Sequence, residues 1–480
     1  MTLLLIFLVN AILSFALSLV VAAWIGPEAF GRYALAIAVA LAIVAAAFDW
    51  LRLSAQRFAS DRAEPDVRVT LDRSYAVLTV VIAVGAVAIV SPGIDLGVAP
   101  TLLLGAVALG LATALFDGRA ALARARFRDR LYGWLLLSRG AGTFAACAAV
   151  AVAVAEPASV LFASAGISVL AAAAGHRALR DGLGRTGKAS RRMAAAFVRY
   201  AMPVVVAGAV YQLFPLLNRA VLASRAGFAE VGDFSLVGEI ATRLFQNIGF
   251  ALDAVLFQIA VRVEETAGRA EAERQVSRNA GLVFAIVGPA AAGLCVTWPS
   301  FEAAFVPASF RGRLETVALL VVPGLAIYAF TLFGLGPVFG LRRRTWPVTA
   351  AALAGLAADV ACLVALPDPV TSLSIAACQL AGFAVALLTL SATAAWAGAA
   401  LPWRDAGATM LGCAAIVGVI WPTRSWESGL GTLAVQVLTG MVVYAAVAWI
   451  TDLASVRSRN VAIVALFPRH RRSHSLNDDR

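Results

Sequence analysis

Fourteen long apolar runs divide the chain, each bounded by charged residues or by proline and glycine. Each run approaches or exceeds the roughly 20 residues that an α-helix needs to cross a bilayer. A helix is favoured in lipid because it satisfies its own backbone hydrogen bonds. The sequence therefore predicts an all-α polytopic membrane protein with about 14 transmembrane helices. The predicted spans are 3–24, 33–53, 74–90, 100–118, 131–154, 158–175, 200–222, 234–258, 279–298, 314–340, 346–366, 370–396, 406–422 and 430–453.

Composition supports a membrane protein and excludes an ordinary soluble enzyme. Hydrophobic residues make up 61% of the 480 residues, and charged residues make up 14%. Soluble domains usually contain roughly 45–50% apolar and about 25% charged residues. The chain has too little polar surface for a soluble fold of this length.

The basic residues predict the orientation. The net charge is +11, and 31 of the 39 Lys and Arg residues fall in alternate connections or in the tail, on the side predicted for both termini. Such a bias marks the cytoplasmic side of a membrane protein. We therefore expect a multi-pass protein of the bacterial inner (plasma) membrane with cytoplasmic N- and C-termini. Because topology explains the positive charge, no nucleic-acid partner is predicted.

An internal repeat predicts two halves. Residues 23–35 and 224–236 match at an offset of 201, which aligns Gly26 with Gly227 and Gly31 with Gly232. Glycine suits such tight turns because it accepts positive φ. The predicted division is an N-terminal lobe at 1–175, a basic linker at 176–199 and a C-terminal lobe at 200–397. A helix pair at 398–453 and a cytoplasmic tail at 454–480 follow.

The sequence predicts neither a metal nor a cofactor. Its three histidines lie in polar segments without interleaved cysteines or carboxylates, and no nucleotide-binding glycine loop is present. All five cysteines fall inside apolar runs, so we expect no disulfide framework.

Two segments resemble a known family. Residues 24–58 contain Gly26-Pro27-Glu28-x-x-Gly31-x-Tyr33 and close the second span with Asp49, and residues 200–244 resemble the start of a second half. These segments look like Wzx-type polysaccharide or oligosaccharide flippases of the multidrug/oligosaccharidyl-lipid/polysaccharide (MOP) exporter superfamily. The chain departs from many members at residues 49–51, Asp-Trp-Leu, where an Asp-x-Gly sequence is usual.

This resemblance implies two six-helix lobes facing a central cavity, with the last two helices appended. It implies a transporter rather than an enzyme. The implied function is translocation, by alternating access, of a polyprenyl-pyrophosphate-linked oligosaccharide for export of a capsule, an exopolysaccharide or O-antigen. The implied partners are the lipid-linked oligosaccharide, membrane lipids, a polysaccharide polymerase and a chain-length regulator.

Charged residues inside the spans are the candidate substrate site, because charge at bilayer depth is costly and normally faces a cavity or a partner. Arg243 lies about nine residues into the eighth span, roughly 13 Å deep. Glu239, four residues earlier, shares its helix face and can pair with it. Arg219 and Arg139 are the other arginines within spans. Three guanidiniums suit a pyrophosphate, since each can donate two parallel hydrogen bonds. Snorkelling for Arg139 and Arg219, and a purely structural Glu239–Arg243 pair, are the alternatives.

Further carboxylates and polar residues complete the candidate site. Asp49 and Asp253 are either interfacial carboxylates paired with Arg52 or Arg262, or a cytoplasmic gate. Asp359 is either a coupling carboxylate or a hydrogen-bonded residue of the bundle. Five polar residues are candidates to line a cavity and bind sugar hydroxyls, with interhelical packing as the alternative: Tyr211, Gln212, Asn218, Gln246 and Asn247.

Two other functions compete with a flippase. One is an H⁺- or Na⁺-coupled small-molecule antiporter of the same fold. The cationic residues in the spans argue against it, because the usual drug substrates of such pumps are cations. The other is a membrane-embedded polysaccharide polymerase, which should carry a large outer loop with carboxylates and histidines. The predicted outer loops reach only about fifteen residues and contain no histidine.

Overall fold

A computed structural model describes residues 3–59, 65–90, 99–179, 187–342 and 344–453. The predicted tail at 454–480 and residues 180–186 of the predicted linker lie outside these ranges. The secondary structure elements of the described residues are all helices, which confirms the predicted all-α membrane class. The α-helices are α1 (Leu3–Ile43), α2 (Asp49–Phe58), α3 (Pro65–Val90), α4 (Pro100–Ala125), α5 (Asp129–Ala153), α6 (Pro157–Ala178), α7 (Arg191–Ala226), α8 (Phe228–Ala267), α9 (Arg269–Val296), α10 (Trp298–Phe305), α11 (Glu315–Ala329), α12 (Gly336–Leu341), α13 (Trp346–Ala365), α14 (Ser372–Trp396), α15 (Trp403–Ile420) and α16 (Leu430–Ile450).

Thirteen helical stretches of the described chain are long and apolar enough to cross a membrane. The first, Leu5–Phe58, contains 54 residues. At about 1.5 Å per residue it is more than twice as long as a bilayer core is thick. The backbone leaves the helical region at Gly26, so this stretch consists of two helices. It holds two crossings, and the total agrees with the prediction of about 14.

The helices pack in two groups that meet at α1. In the first half, α1, α4, α5 and α6 pack against one another. In the second, α7 packs on α13, α8 on α9 and α11, and α14 on α11 and α13. The extensive contact between α1 and α8 joins the groups, while α15 packs on both α9 and α16. The division into two lobes and an appended helix pair stays a prediction.

The turns of the internal repeat adopt nearly the same backbone conformation. Gly26 has φ 75° and ψ 173°, and Gly227 has φ 90° and ψ 171°. Each glycine joins two helices directly, and the positive φ favours glycine at both positions. The repeat therefore produces equivalent helix junctions in the two halves.

The tenth span is interrupted in its second half. A π-helix at Phe330–Leu335 separates α11 from α12, and Pro337 lies in the first turn of α12. Proline is tolerated there because the first turn needs no intrahelical N–H donor. Pro323, in contrast, lies inside continuous α11.

The expectation of no disulfide is wrong for one cysteine pair. Cys362 on α13 and Cys378 on α14 form a disulfide, with their Cα atoms 5.4 Å apart. The two helices pack side by side and are joined by a short connection, which brings the two positions to the same level. The apolar setting of each cysteine gave no signal of this pairing.

For orientation we name the two ends of the bundle. The arginine-rich end holds the described connecting residues 59, 126–128, 179, 187–190, 268, 342 and 344–345, and the arginine-poor end holds those at 26, 154–156, 227, 297–314, 366–371 and 421–429. Arg311 and Arg313 are among the few arginines at the second end.

Candidate functional site

Glu239 joins two of the three predicted arginines. Its Oε2 lies 3.2 Å from Nη2 of Arg243, one turn further along α8. Its Oε1 lies 3.6 Å from Nη2 of Arg219, which projects from α7. We call Arg219, Glu239 and Arg243 the arginine–glutamate cluster. The spacing on α8 predicts the first contact, and the packing of α7 on α8 supplies the second.

Both arginines of this cluster also bond to α1. Arg243 donates from Nε to Oγ of Ser18 at 3.1 Å. Arg219 donates from Nη1 to the carbonyl oxygen of Ala34, also at 3.1 Å. Ser18 and Ala34 lie on opposite sides of the Gly26 junction. The cluster therefore links the second half of the chain to both membrane helices that α1 contributes.

The cluster lies in the interior and carries excess positive charge. The side chain of Arg219 is 7% exposed, that of Glu239 20% and that of Arg243 30%. Two guanidiniums and one carboxylate leave one positive charge without a counter-ion within the cluster. Nε of Arg219 is buried and makes no hydrogen bond in the described structure. The arrangement therefore has both a charge and a donor available for an anion.

A second polar group lies between α7 and α13. Asn218 donates from Nδ2 to Oδ2 of Asp359 at 3.1 Å and to the carbonyl oxygen of Phe214 at 2.9 Å. Asp359 is fully buried, and its Oδ1 has no hydrogen-bond partner in the described structure. The amide oxygen of Asn218 is likewise buried without a donor. These two buried oxygens, one from the amide and one from the carboxylate, can each accept a further hydrogen bond.

Arg139 belongs to a separate group in the first half. It lies 3.6 Å from the carboxylate of Asp117 and donates to the hydroxyls of Ser168 and Thr113, at 3.1 Å each. Its guanidinium also lies over the ring of Phe116, 4.4 Å from the centroid. All four partners lie on α4 or α6. The structure therefore does not bring Arg139 into contact with the arginine–glutamate cluster.

The other predicted carboxylates differ in their pairing. Asp49 accepts a hydrogen bond from Nε of Arg52 at 2.8 Å, as the interfacial alternative expects. Asp253 is half-buried on α8, and the described structure gives it no ion pair with Arg262. Asp49 and Asp253 thus occupy similar repeat positions without sharing a contact pattern.

The five polar candidates do not form one surface. Tyr211 is buried and packs against the ring of Tyr328, with centroids 5.0 Å apart, and Asn218 contacts Asp359. Gln212 lies seven residues before Arg219 on α7, and this spacing places both near one helix face. Gln246 is half-buried and Asn247 is exposed. Gln212 and Gln246 are thus the better candidates for positions beside the cluster.

Sequence patterns missed several residues that the structure brings into these groups, Ser18 and Asp117 among them. Ser18 contacts Arg243, and Asp117 contacts Arg139. A serine in an apolar run is common and gives no signal. Asp117 falls at the end of the fourth predicted span, beside a basic connection, where it resembles an interfacial residue. Among the described residues, no three histidine, cysteine or acidic side chains cluster as metal ligands.

The sequence matches no protein-family model and none of the curated proteins. Solved structures, however, share its fold. It is similar to the lipid II flippase MurJ in an inward closed conformation, with a TM-score of 0.73 and 12% identity over 95% of this chain and 99% of MurJ. It is also similar to a multidrug resistance MATE family transporter of the MOP superfamily. The inward-facing form gives a TM-score of 0.56 at 12% identity over 83% of this chain and 95% of that one. The outward-facing form gives 0.55 at 13% over 82% and 95%.

The chain shares the fold of MurJ and of this MATE family transporter. Its similarity to MurJ extends over nearly the whole of both chains. At these identities the comparisons define the fold and leave the transported compound open.

Proposed function

We propose that the protein is a flippase that moves a polyprenyl-pyrophosphate-linked oligosaccharide from the cytoplasmic to the outer leaflet of the bacterial inner membrane. The compound would serve the export of a surface polysaccharide, with a polymerase and a chain-length regulator acting on it afterwards. The single observation that carries this proposal is the arginine–glutamate cluster at the contact between α1 and α8. The fold shared with a lipid II flippase supports it.

The chemistry of the cluster suits a pyrophosphate. A pyrophosphate in a bilayer core loses its hydration and needs fixed positive charge in exchange. Arg219 and Arg243 offer planar guanidiniums that form strong, paired hydrogen bonds with phosphate oxygens. In the described state Glu239 occupies part of that donor capacity. A bound phosphate would compete with Glu239 for the same donors.

The same competition would couple binding to movement of the two halves. Arg243 contacts Ser18 and Arg219 contacts the backbone of Ala34, so both arginines tie α7 and α8 to α1. Phosphate oxygens that draw on these donors would weaken the ties. Loss of such ties would favour separation of the halves, which alternating access requires.

Asp359 is the carboxylate that we propose for ion coupling. It is buried beside Asn218, and one of its oxygens has no donor in the described structure. A buried carboxylate that lacks a charged partner is costly unless a proton or a cation accompanies it. Uptake and release of that ion would alter the contact between α7 and α13, which belong to the same half.

Arg243 variants test the proposed function. In liposomes containing the purified protein and a fluorescent polyprenyl-pyrophosphate oligosaccharide, Arg243→Ala should reduce flipping at least tenfold. This follows because hydrogen bonds to charged groups contribute about 1.5–3 kcal/mol. Arg243→Lys should restore only part of the activity, since an ammonium cannot form the paired contact. Flipping is measured as access of an impermeant glycosidase to the sugar.

Arg274→Ala is the matched control. Arg274 also pairs with a nearby glutamate on its own helix, Glu271 at 2.8 Å, but its side chain is 68% exposed. The control should flip lipid at the wild-type rate. Normal flipping by Arg243→Ala would contradict the proposal, and a loss proportional to reduced protein abundance would make the cluster structural. Transport of a cationic drug without lipid flipping would favour the antiporter alternative.

A further inference from the structure

A cleft opens at the arginine-rich end, away from the arginine–glutamate cluster. It lies between the start of α9, the end of α12, the start of α13 and the end of α14, and it has a volume of about 820 Å³. The residues that give it its chemistry are Arg269, Glu273, Arg342, Arg344, Trp346 and Trp396. None of them takes part in the contacts between α1, α7 and α8 described above.

One side of this cleft is built by a fixed arginine. Arg342 donates from Nε and Nη2 to the two carboxylate oxygens of Glu273, at 3.2 and 2.9 Å. Its Nη1 donates to the carbonyl oxygen of Ala397 at 2.7 Å. These bonds hold the end of α12 against α9 and α14. Arg342 therefore stabilises the wall of the cleft, because its three nitrogens already donate hydrogen bonds to protein oxygens.

The cleft lining carries a net positive charge. Arg269 contacts Glu273 from Nε at 3.4 Å, and Arg344 is exposed at the mouth. Three arginines and one glutamate line the described cleft, which leaves two positive charges without a counter-ion in the lining. Glu273 accepts hydrogen bonds from Arg269 and Arg342, whereas the described contacts include none from the guanidinium of Arg344.

Two exposed tryptophans flank the cleft and indicate its level relative to the membrane. Trp346 is 70% exposed and Trp396 is 93% exposed. Tryptophans in membrane proteins concentrate at the level of the lipid headgroups, where the ring lies in the interface. Trp346 begins α13 and Trp396 ends α14, so both mark the same end of the bundle. We therefore expect the mouth of the cleft to lie at the level of the lipid phosphates.

We propose that this cleft binds the headgroup of an anionic phospholipid. Arg344 would bind the phosphate, Arg269 would add charge, and the tryptophans would pack along the glycerol and upper acyl chains. Basic pockets between transmembrane helices are suited to such headgroups. The bound lipid would be a resident of the leaflet and not the transported compound, so the proposal is independent of the proposed function.

Native mass spectrometry of the full-length, detergent-purified protein tests the proposal. The probes are phosphatidylglycerol, phosphatidylcholine as the zwitterionic comparison, and inorganic phosphate. The wild-type protein should retain phosphatidylglycerol in preference to phosphatidylcholine, and millimolar inorganic phosphate should not displace it. Arg344→Gln should weaken phosphatidylglycerol binding about fivefold, as expected for one arginine at a lipid surface. Arg344→Lys should retain most of the affinity.

Arg192→Gln is the matched control, because Arg192 is also exposed at the arginine-rich end but does not line the cleft. It should bind phosphatidylglycerol as the wild type does. Equal losses in Arg344→Gln and Arg192→Gln would overturn the proposal, since they would indicate general surface attraction. Equal retention of the two lipids, or displacement by inorganic phosphate, would also overturn it.

Discussion

At the scale of residues, one carboxylate in the interior is shared by two arginines. Glu239 forms ion pairs with two arginines, and each arginine also donates a hydrogen bond to α1. A single glutamate cannot saturate two guanidiniums, so the cluster is held together while remaining receptive to an anion. Removing Glu239 would leave the buried Arg219 and the half-buried Arg243 without their shared carboxylate, so its substitution would change the charge balance as well as binding.

Asp359→Asn tests the proposed coupling role. The amide is the same size as the carboxylate but cannot carry the negative charge, so imposed proton or sodium gradients should no longer accelerate flipping. Thermal stability should be unchanged or higher, because the variant removes an incompletely hydrogen-bonded buried carboxylate. Flipping rates in liposomes with and without a gradient measure the effect.

The control for this variant is Asp368→Asn, whose carboxylate is 78% exposed and pairs with Arg225. It should keep its response to the gradient. A gradient response in Asp359→Asn equal to that of the wild type would assign Asp359 to helix packing alone.

Residue contacts could be predicted from the sequence only within one helix. The spacing of Glu239 and Arg243 predicts a pair, and the structure contains it. The contacts of Asn218 with Asp359 and of Arg139 with Asp117 join different helices. Such contacts depend on which helices are neighbours and on how each is rotated, and fourteen similar apolar runs do not specify either.

At the scale of elements, the two repeat turns close on each other through glycines. A Cβ on Gly31 would overlap the carbonyl oxygen of Phe228, and one on Gly232 would overlap that of Pro27. The offset of 201 relates Gly31 to Gly232 and Pro27 to Phe228. The contact is thus reciprocal, and it brings the backbones of α1 and α8 together at the arginine-poor end. We infer that this contact keeps that end closed in the described state.

Gly232→Ala tests this closure. The added methyl meets a backbone oxygen that cannot move aside alone, so the contact between α1 and α8 should open, at a stability cost of about 1–3 kcal/mol. An impermeant maleimide should then label a cysteine at Phe30, which is 1% exposed and packs against Phe310. Labelling is compared in proteins whose three free cysteines have been replaced by alanine.

Gly166→Ala is the control, because a Cβ there would meet no atom within 4 Å. It should leave the cysteine at position 30 protected. Slow labelling in Gly232→Ala as well would show that closure does not depend on the glycine contact.

The elements themselves were largely predictable. The lengths of the apolar runs predict most of the spans, and both turn glycines have the expected positive φ. The structure adds features that depend on partners: α7 and α8 continue well past the predicted spans at the arginine-rich end, and Cys362 pairs with Cys378. Polar helical extensions carry no apolar signal, so hydropathy ends the helix too early.

At the scale of the whole molecule, the charge bias predicts which end faces the cytoplasm. A reporter fused after Arg192 should be active only in a cytoplasmic assay, and one fused at Asp368 only in an assay of the outer side. Arg192 lies at the start of α7 and Asp368 between α13 and α14, at opposite ends of the bundle. Activity of both fusions on the same side would contradict the fourteen-span topology, and exchanged sides would invert the orientation.

If the two proposed lobes rock against each other, crosslinking between the repeat turns should change during transport. Arg32 lies over the ring of Phe228, 5.2 Å from its centroid, and this contact joins the two repeat turns. Cysteines at these two positions should crosslink in the described state. Lipid-linked oligosaccharide or an ion gradient should lower the yield, because in the proposed function the arginine-poor end opens to release the lipid to the outer leaflet. Gel mobility after oxidation measures the yield.

The matched pair is Arg225 with Asp368, which also lies at the arginine-poor end but joins α7 to the connection after α13 within one proposed lobe. Cysteines there should crosslink equally under all conditions, because a rigid lobe carries both positions together. A yield that changes in both pairs would indicate local loosening instead of rocking. A yield that changes in neither would show that transport does not open this end, and the ties from Arg219 and Arg243 to α1 would then be static.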